Sequence, residues 1–371
     1  MHTSVYGFNC PQNPSIDSLL NYTIFLHFDI YNRTSANLNN TYFGINNLSS
    51  LGNPNNDYIA FDVLRNAVTN YNSTNLDSGL NGYGVNPPEF NCVLLTGPAS
   101  NQFDGIDNDH DGSIDELDET WAASNFQVYQ NDVSVIGNPS IPNDFYNYLH
   151  GLWRDNSPLE YGSSGYQTPI PGGTLSDFMY PGTSDVDWIG TDSTPQSFIW
   201  TEEEPLGPGS IPNVPGARQS VMSMGPFNME PYQKTSFDIA YLFTWYKNLP
   251  NGPNTSDLLN KNMIDSLLNM WANNTFPCID LTSQIPELAK TNLLTVYPNP
   301  TSTYLSISFS CNTNSILQIV DQLGNICFQT KTLASSKFTT IDISDLSNGL
   351  YYVTIISNDG AFKAERFSVA R

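Results

Sequence analysis

Sustained helical periodicity occurs once in this chain, and that single stretch limits what the rest can be. Leu258, Leu259, Met263, Ile264, Leu267, Leu268 and Trp271 recur at helical spacing behind a Ser256-Asp257 cap, which predicts a helix over 257–273. The chain's 25 Gly and 25 Pro punctuate turns, and its 12% aromatic content suits pleated, half-buried surfaces. The remainder therefore reads as strands joined by many turns, with a short helix over 143–153 capped by Asn143.

Strand character is expected at 18–31, 41–45, 58–62, 67–71, 90–96, 122–129, 219–224 and 236–245. Residues 155–217 are dense in Gly, Pro, Ser and Asp and read as long loops packed on a sheet. From Leu293 the pattern changes: Leu305, Ile307 and Phe309 alternate with serines, Leu317 and Ile319 with polar residues, and Tyr351, Val353 and Ile355 continue the alternation. About seven short strands there suggest a small antiparallel sandwich. The expected fold is all-β and mainly antiparallel. A large β-sandwich-like region with one helix and long loops spans 1–285, a linker 286–292, and an immunoglobulin-like sandwich 293–371.

The formal charge of −23 is confined to the first region: from Pro286 onward six bases balance six acids, which leaves 30 acids against 7 bases before it. So acidic a surface repels phosphates and argues against a nucleic-acid partner. No apolar run is long enough to span a membrane. The five cysteines lack any C-x-x-C pair, which disfavours a zinc ribbon or redox motif. Cys311 and Cys327 fall in one small region, as a pair or as isolated thiols. The chain begins almost directly in strand-like sequence with no secretory leader, which reads as a piece of a longer protein.

The sharpest chemistry lies between Asp104 and Glu119, where eight of sixteen residues are acidic. With Asp107 at position 1, carboxylates fall at positions 1, 3 and 5 (Asp107, Asp109, Asp111), a glycine at 6 (Gly112), Ser113 at 7 through its carbonyl, Asp115 at 9 and Asp118 at 12. Alternate residues of a tight loop point inward, and a hard cation takes six to eight oxygens; this is a calcium pattern. It departs from a true EF-hand in having Asp at position 12 and a loop, 97–102, in place of the preceding helix.

The last region resembles the type A C-terminal sorting domain of proteins exported by the type IX secretion system of the Bacteroidota. The resemblance is carried by Val296-Tyr297-Pro298-Asn299-Pro300-Thr301, the Leu305-Ser306-Ile307 strand, Val320-Asp321-Gln322-Leu323-Gly324-Asn325, the segment 341–351 with its Asp345-Leu346-Ser347-Asn348-Gly349-Leu350-Tyr351, and the ending from Phe362-Lys363 to Arg371. It implies that residues 293–371 are read by the outer-membrane translocon, leaving the protein secreted or on the cell surface. The front region more loosely resembles large secreted proteins of the same group, through Asp29-Ile30-Tyr31-Asn32-Arg33-Thr34, Asp57-Tyr58-Ile59-Ala60-Phe61-Asp62, Gly82-Tyr83-Gly84-Val85-Asn86-Pro87-Pro88 and Ser223-Met224-Gly225-Pro226-Phe227. That likeness implies no reaction.

No H-E-x-x-H, G-x-S-x-G or P-loop occurs, and the four histidines have no ligand spacing. His27 reads as a strand histidine. Glu202-Glu203-Glu204 beside Trp200 could suggest a glycosidase pair, but a solvated turn fits neighbouring acids better. Trp153, Tyr161, Tyr166, Tyr180 and Trp188 could make a sugar-stacking platform or fill a core. Asp185, Asp187 and Asp192 form a second acidic group, and Asp57 and Asp62 a third beside Asn55 and Asn56. The expected function is a calcium-binding surface or extracellular module with a binding or structural role, toward a glycan or protein ligand. A hydrolase acting on polysaccharide or protein, or the accessory region of one, is the alternative.

Overall fold

The computed structural model describes residues 1–8, 19–101, 104–115, 119–169, 173–245, 253–276, 294–309, 315–322, 324–332, 337–357 and 362–371. The chain divides into two compact units, Met1–Cys278 and Ile279–Arg371.

The first unit carries β1 (His2–Tyr6), β2 (Thr23–Tyr31), β3 (Leu38–Ser49), β4 (Asp57–Asp62), β5 (Ala67–Asn72), β6 (Leu76–Asp77), β7 (Gly84–Val85) and β8 (Glu89–Thr96). After the acidic loop come β9 (Asn125–Tyr129), helix α1 (Pro142–Leu149), β10 (Arg218–Met229), β11 (Lys234–Thr244) and helix α2 (Pro253–Ala272). Among the described residues three antiparallel sheets result, one of six strands in the order β1-β2-β11-β8-β5-β4, one of three in the order β3-β10-β9, and a two-stranded ribbon of β6 and β7.

Strand alternation decides which layer each side chain joins. Ile59 and Phe61 of β4, Val68 of β5, Cys92 and Leu94 of β8, and Ile239 of β11 enter the core shared with Phe126, Met222 and Met224 of the three-stranded sheet. Phe25, Ala67, Val93, Ala240 and Leu242 take the opposite face and meet Ile264 and Leu267 of α2. The six-stranded sheet is thus covered on both faces, which is why 92–95 is a continuous apolar run. The long loops add Trp153, Leu159, Tyr161, Phe178, Tyr180 and Trp200 to the core. The loop after Phe178 also does the work of a further strand: Phe61 N–H donates to the Tyr180 backbone carbonyl (3.2 Å), and Val63 N–H to Ser184 Oγ (2.9 Å). The outer edge of β4 is closed in this way against a stray strand.

Both helices differ from their expected bounds for local reasons. α2 begins at Pro253, four residues before the expected start; the fixed φ of proline suits a first turn. α1 opens on Pro142 rather than at an Asn143 cap and ends at Leu149. The Asp144 carboxylate folds back onto the N–H groups of Ser140 (2.9 Å) and Ile141 (3.3 Å), while Gly151 turns the chain away at φ +68.

The second unit is a sandwich of a three-stranded sheet, β12 (Thr295–Tyr297), β13 (Tyr304–Ser308) and β16 (Phe338–Asp342), and a four-stranded one. The latter runs β15 (Ile326–Thr332), β14 (Ser315–Asp321), β17 (Gly349–Ser357) and β18 (Phe362–Val369). The alternating residues Leu305, Ile307, Leu317, Ile319, Val353 and Ile355 form its core with Phe367. Cys327 is exposed and unpaired, and Cys311 lies outside the described residues. The fold class is all-β, as the alternation implies. Among the described residues no helix is long and apolar enough to cross a membrane.

Candidate functional site

The acidic loop leaves the sheets after β8 and returns before β9, and its neck is pinned shut. Ala99 bridges Thr120, Trp121 N–H donates to the Pro98 carbonyl (2.8 Å), and Ser100 N–H to that of Glu119 (3.1 Å). Gly97 is required there, because a Cβ at that position would lie 1.7 Å from the Trp121 carbonyl oxygen. The neck therefore brings residue 119 back beside the start of the loop.

Within the loop, carboxylate oxygens of Asp107, Asp109 and Glu119 lie within 4.8 Å of one another. Glu119 is buried; its Oε1 accepts from Asn108 N–H (2.5 Å) and its Oε2 from Ser100 Oγ (3.4 Å). Asp107 accepts from the N–H groups of Asp111 (3.1 Å) and Gly112 (3.0 Å), winding the turn that Gly112 makes at φ +96. Burial and the charges of Asp111, Asp107 and Glu119 push the Asp109 carboxyl up, an effect that a backbone bond from Asp111 opposes. The Asn108 side chain is wholly buried, and neither its amide nitrogen nor its oxygen finds a partner among the described residues.

Of the six expected ligands, Asp107 and Asp109 are drawn together. Asp111 and Ser113 are exposed, with Asp111 Oδ1 accepting from Ser113 N–H (2.8 Å), and Asp115 Oδ1 accepts from Gly105 N–H (2.9 Å) across the loop. Asp118 lies outside the described residues. The residue missed was Glu119, one place beyond a twelve-residue count. Its signal was the Asp118-Glu119 pair beside the strand-like return of the chain.

The other acidic groups have structural work. Asp185 is buried and accepts from the N–H groups of Ile189 (2.7 Å) and Gly190 (3.1 Å), while Asp187 and Asp192 are exposed. Asp62 pairs with Arg65 (3.0 Å), whose guanidinium reaches on to Asp265 of α2 (2.7 Å). The neighbours Glu202 and Glu203 diverge. Glu202 is 1% exposed, ion-paired with Arg218 (2.6 Å), and accepts from Ile59 N–H (3.3 Å) and Asn213 Nδ2 (2.9 Å). His27 lies between Asp238 (2.8 Å) and Asp29 (3.1 Å). Trp153, Tyr161 and Tyr180 are core residues.

Glu203 faces a cleft of about 390 Å³ on the helix-covered side of β4 and β5. Its wall includes Pro87, Pro88, Pro181 and Ile199, and its polar groups Asp62, Thr69, Tyr71, Glu89, Glu203 and Asn260. Tyr71 Oη donates to Glu203, with both carboxylate oxygens in reach (2.8 and 3.0 Å). Burial, then the Glu203 charge, raises the Tyr71 phenol well above its ordinary value and holds it protonated. No local pattern announces this cleft, since β4, β5, three loops and α2 each contribute to it.

Residues 295–369 match the family model described as the Secretion system C-terminal sorting domain. The protein is accordingly a secreted cargo, exported by type IX secretion to the extracellular space or cell surface, and its sorting domain engages the secretion machinery. Comparison with curated proteins finds no match. Among solved structures, an immunoglobulin-like β-sandwich protein of the DUF3244 family from Bacteroides vulgatus is 18% identical, covering 21% of this chain and 84% of its own, at TM-score 0.19. CopC from Methylosinus trichosporium is 17% identical over 21% of this chain and 90% of its own, at TM-score 0.17. A polysaccharide lyase is 6% identical over 94% of this chain, which spans 32% of that protein, at TM-score 0.23.

Proposed function

We propose that the unit Met1–Cys278 is an extracellular binding module for a hydroxyl-rich ligand of the glycan class, and that calcium stiffens its acidic loop. The binding reading rests on the cleft, where carboxylates, amides, hydroxyls and a phenol converge beside an apolar wall of prolines. Such a mixture suits a molecule that presents hydroxyls on its rim and C–H groups on its faces. Calcium is supported by three clustered carboxylates beside a buried, unpartnered Asn108 amide, an all-oxygen donor set that favours this ion. Asp107, Asp109 and Glu119 would hold it, and it would supply charge compensation.

A hydrolase is the second reading, because Glu203 and Asp62 line the same cleft. Against it, Asp62 is held by Arg65 and Glu203 by Tyr71, which leaves neither carboxylate unengaged. The test is a glycan array with the intact chain, then titration of the strongest hit into wild type and Glu203→Gln. Binding weakened at least about tenfold by the substitution, with the glycan unchanged, is expected for a lost charge-assisted hydrogen bond. Cleavage of the glycan that disappears in Glu203→Gln would establish the hydrolase instead.

A further inference from the structure

The open end of the β4–β5 hairpin holds a second group of oxygens, remote in sequence from the acidic loop. Asp57 begins β4, Asn72 ends β5, and the two are direct cross-strand partners, so their side chains stand on one face at neighbouring spacing. Asn56 is tied to the same place, because Ser73 N–H donates to its carbonyl (2.7 Å).

Each of the three side chains is anchored at one end. Leu51 N–H donates to Asp57 Oδ2 (2.9 Å), Asn56 Nδ2 donates to Asp77 Oδ1 (3.1 Å), and Asn72 Nδ2 donates to the Thr74 carbonyl (2.6 Å). The other end of each, Oδ1, is buried without a hydrogen-bond partner among the described residues. Amide flips do not remove the problem: a carbonyl and a carboxylate only accept, so Asn72 and Asn56 must present their NH₂ groups to Thr74 and Asp77. Burial pushes the Asp57 carboxyl up to about 6; below that the protonated carboxyl is itself a donor, and above it three acceptors are left at the hairpin mouth with no donor among the described residues, one of them on a charged residue only 2% exposed.

A buried polar group without a partner is costly, and a buried charge more so. One water brings two protons to three acceptors. Asn70, deeper on the same face, differs because it leaves both its nitrogen and its oxygen unpartnered, the mixed demand that water meets. A hard cation answers acceptors alone. We propose that Asn56, Asp57 and Asn72 form a second calcium site, which clamps the loop before β4 to the loop after β5. One carboxylate and two amide oxygens make a weak ligand set, suited to the calcium concentrations outside the cell. The site does not depend on the acidic loop.

The test is calorimetric titration of calcium into the chelator-stripped full chain. Asp57→Asn keeps an acceptor for Leu51 N–H and turns an NH₂ toward the orphan oxygens, so it folds without metal. It removes one calcium equivalent, whereas Asp107→Ala with Asp109→Ala leaves that equivalent in place. A second measurement needs no change at the site: in the Asp107→Ala/Asp109→Ala chain, calcium slows hydrogen exchange at Leu51 and Ser73. Loss of all calcium binding in that loop variant, with exchange at Leu51 and Ser73 insensitive to calcium, would overturn the proposal and leave water as the occupant.

Discussion

Replacing Glu119 by glutamine separates the proposed calcium loop as folded from the loop as counted along the sequence. Two unit charges 4.8 Å apart, the outer limit within the Asp107, Asp109 and Glu119 group, repel by about 0.9 kcal/mol in water and by about 3.5 kcal/mol at an effective dielectric of about 20. A bound cation offsets that repulsion for all three pairs. At a hundredfold excess over its dissociation constant it stabilises the fold by about 2.7 kcal/mol. A unit of this size shifts its melting midpoint by about 2–4 °C per kcal/mol, so chelation lowers the midpoint by about 5–10 °C. Glu119→Gln keeps an acceptor for Asn108 N–H and removes one charge. Scanning calorimetry should find it more stable than wild type in chelator, with at least about 1.4 kcal/mol of the calcium response lost, equivalent to tenfold in affinity. Asp115→Asn, which keeps the bond from Gly105, should leave the response intact. A response that survives Glu119→Gln and disappears in Asp115→Asn would refute the reasoning and return the ligands to the twelve-residue count.

Arg218→Met should cost about 3–5 kcal/mol, measured by denaturant unfolding, because it leaves the carboxylate of Glu202 buried and unpaired; a loss below about 1 kcal/mol would mean that Ile59 N–H and Asn213 suffice. His27 is raised above its ordinary value, first by its hydrogen bond to Asp238 and further by Asp29, against an opposing effect of burial. A raised histidine contributes stability that is complete below the unfolded value of about 6.5 and is lost as pH rises through the folded one. The gap in melting midpoint between wild type and His27→Gln should therefore narrow from pH 5.5 to pH 8.5, with Asp29, Asp238 and Lys234 present in both; a gap that widens would reverse the assignment. Behind a supplied signal peptide in a type IX-competent host, the intact chain should reach the medium or surface and a chain lacking residues 295–371 should stay in the periplasm, as read by fractionation; equal export would refute the sorting assignment.

Much of the fold was legible where local pattern and tertiary burial agree. The alternation of Leu305, Ile307 and Leu317 with polar residues survives folding because one face of each strand meets one core. The spacing of Ile264 and Leu267 likewise marks the face of α2 that lies on the sheet. Leu258 obeyed the same spacing and is 59% exposed, since α2 extends past the apolar patch that its middle covers. Sheet order was not legible. β2 pairs with β11 across most of the first unit, and such a contact leaves no local trace in either strand.

The sites follow the same division. Three aspartates at alternate positions announce a cation because their spacing is a property of the loop alone, whereas Glu119 joins them only through the long-range bridge of Ala99 with Thr120. At Asn56 and Asn72 the sequence is misleading in a physical sense: asparagine in a run of Asn, Gly and Ser reads as turn chemistry, and the Asn72 amide does bond two residues on to Thr74, as turn asparagines do, whereas that of Asn56 reaches Asp77 far along the chain. At Asn72 that local bond leaves Oδ1 free, among the described residues, on the strand face it shares with its cross-strand partner Asp57. A turn former thereby becomes a candidate ligand, and only the register of β4 against β5 distinguishes the two.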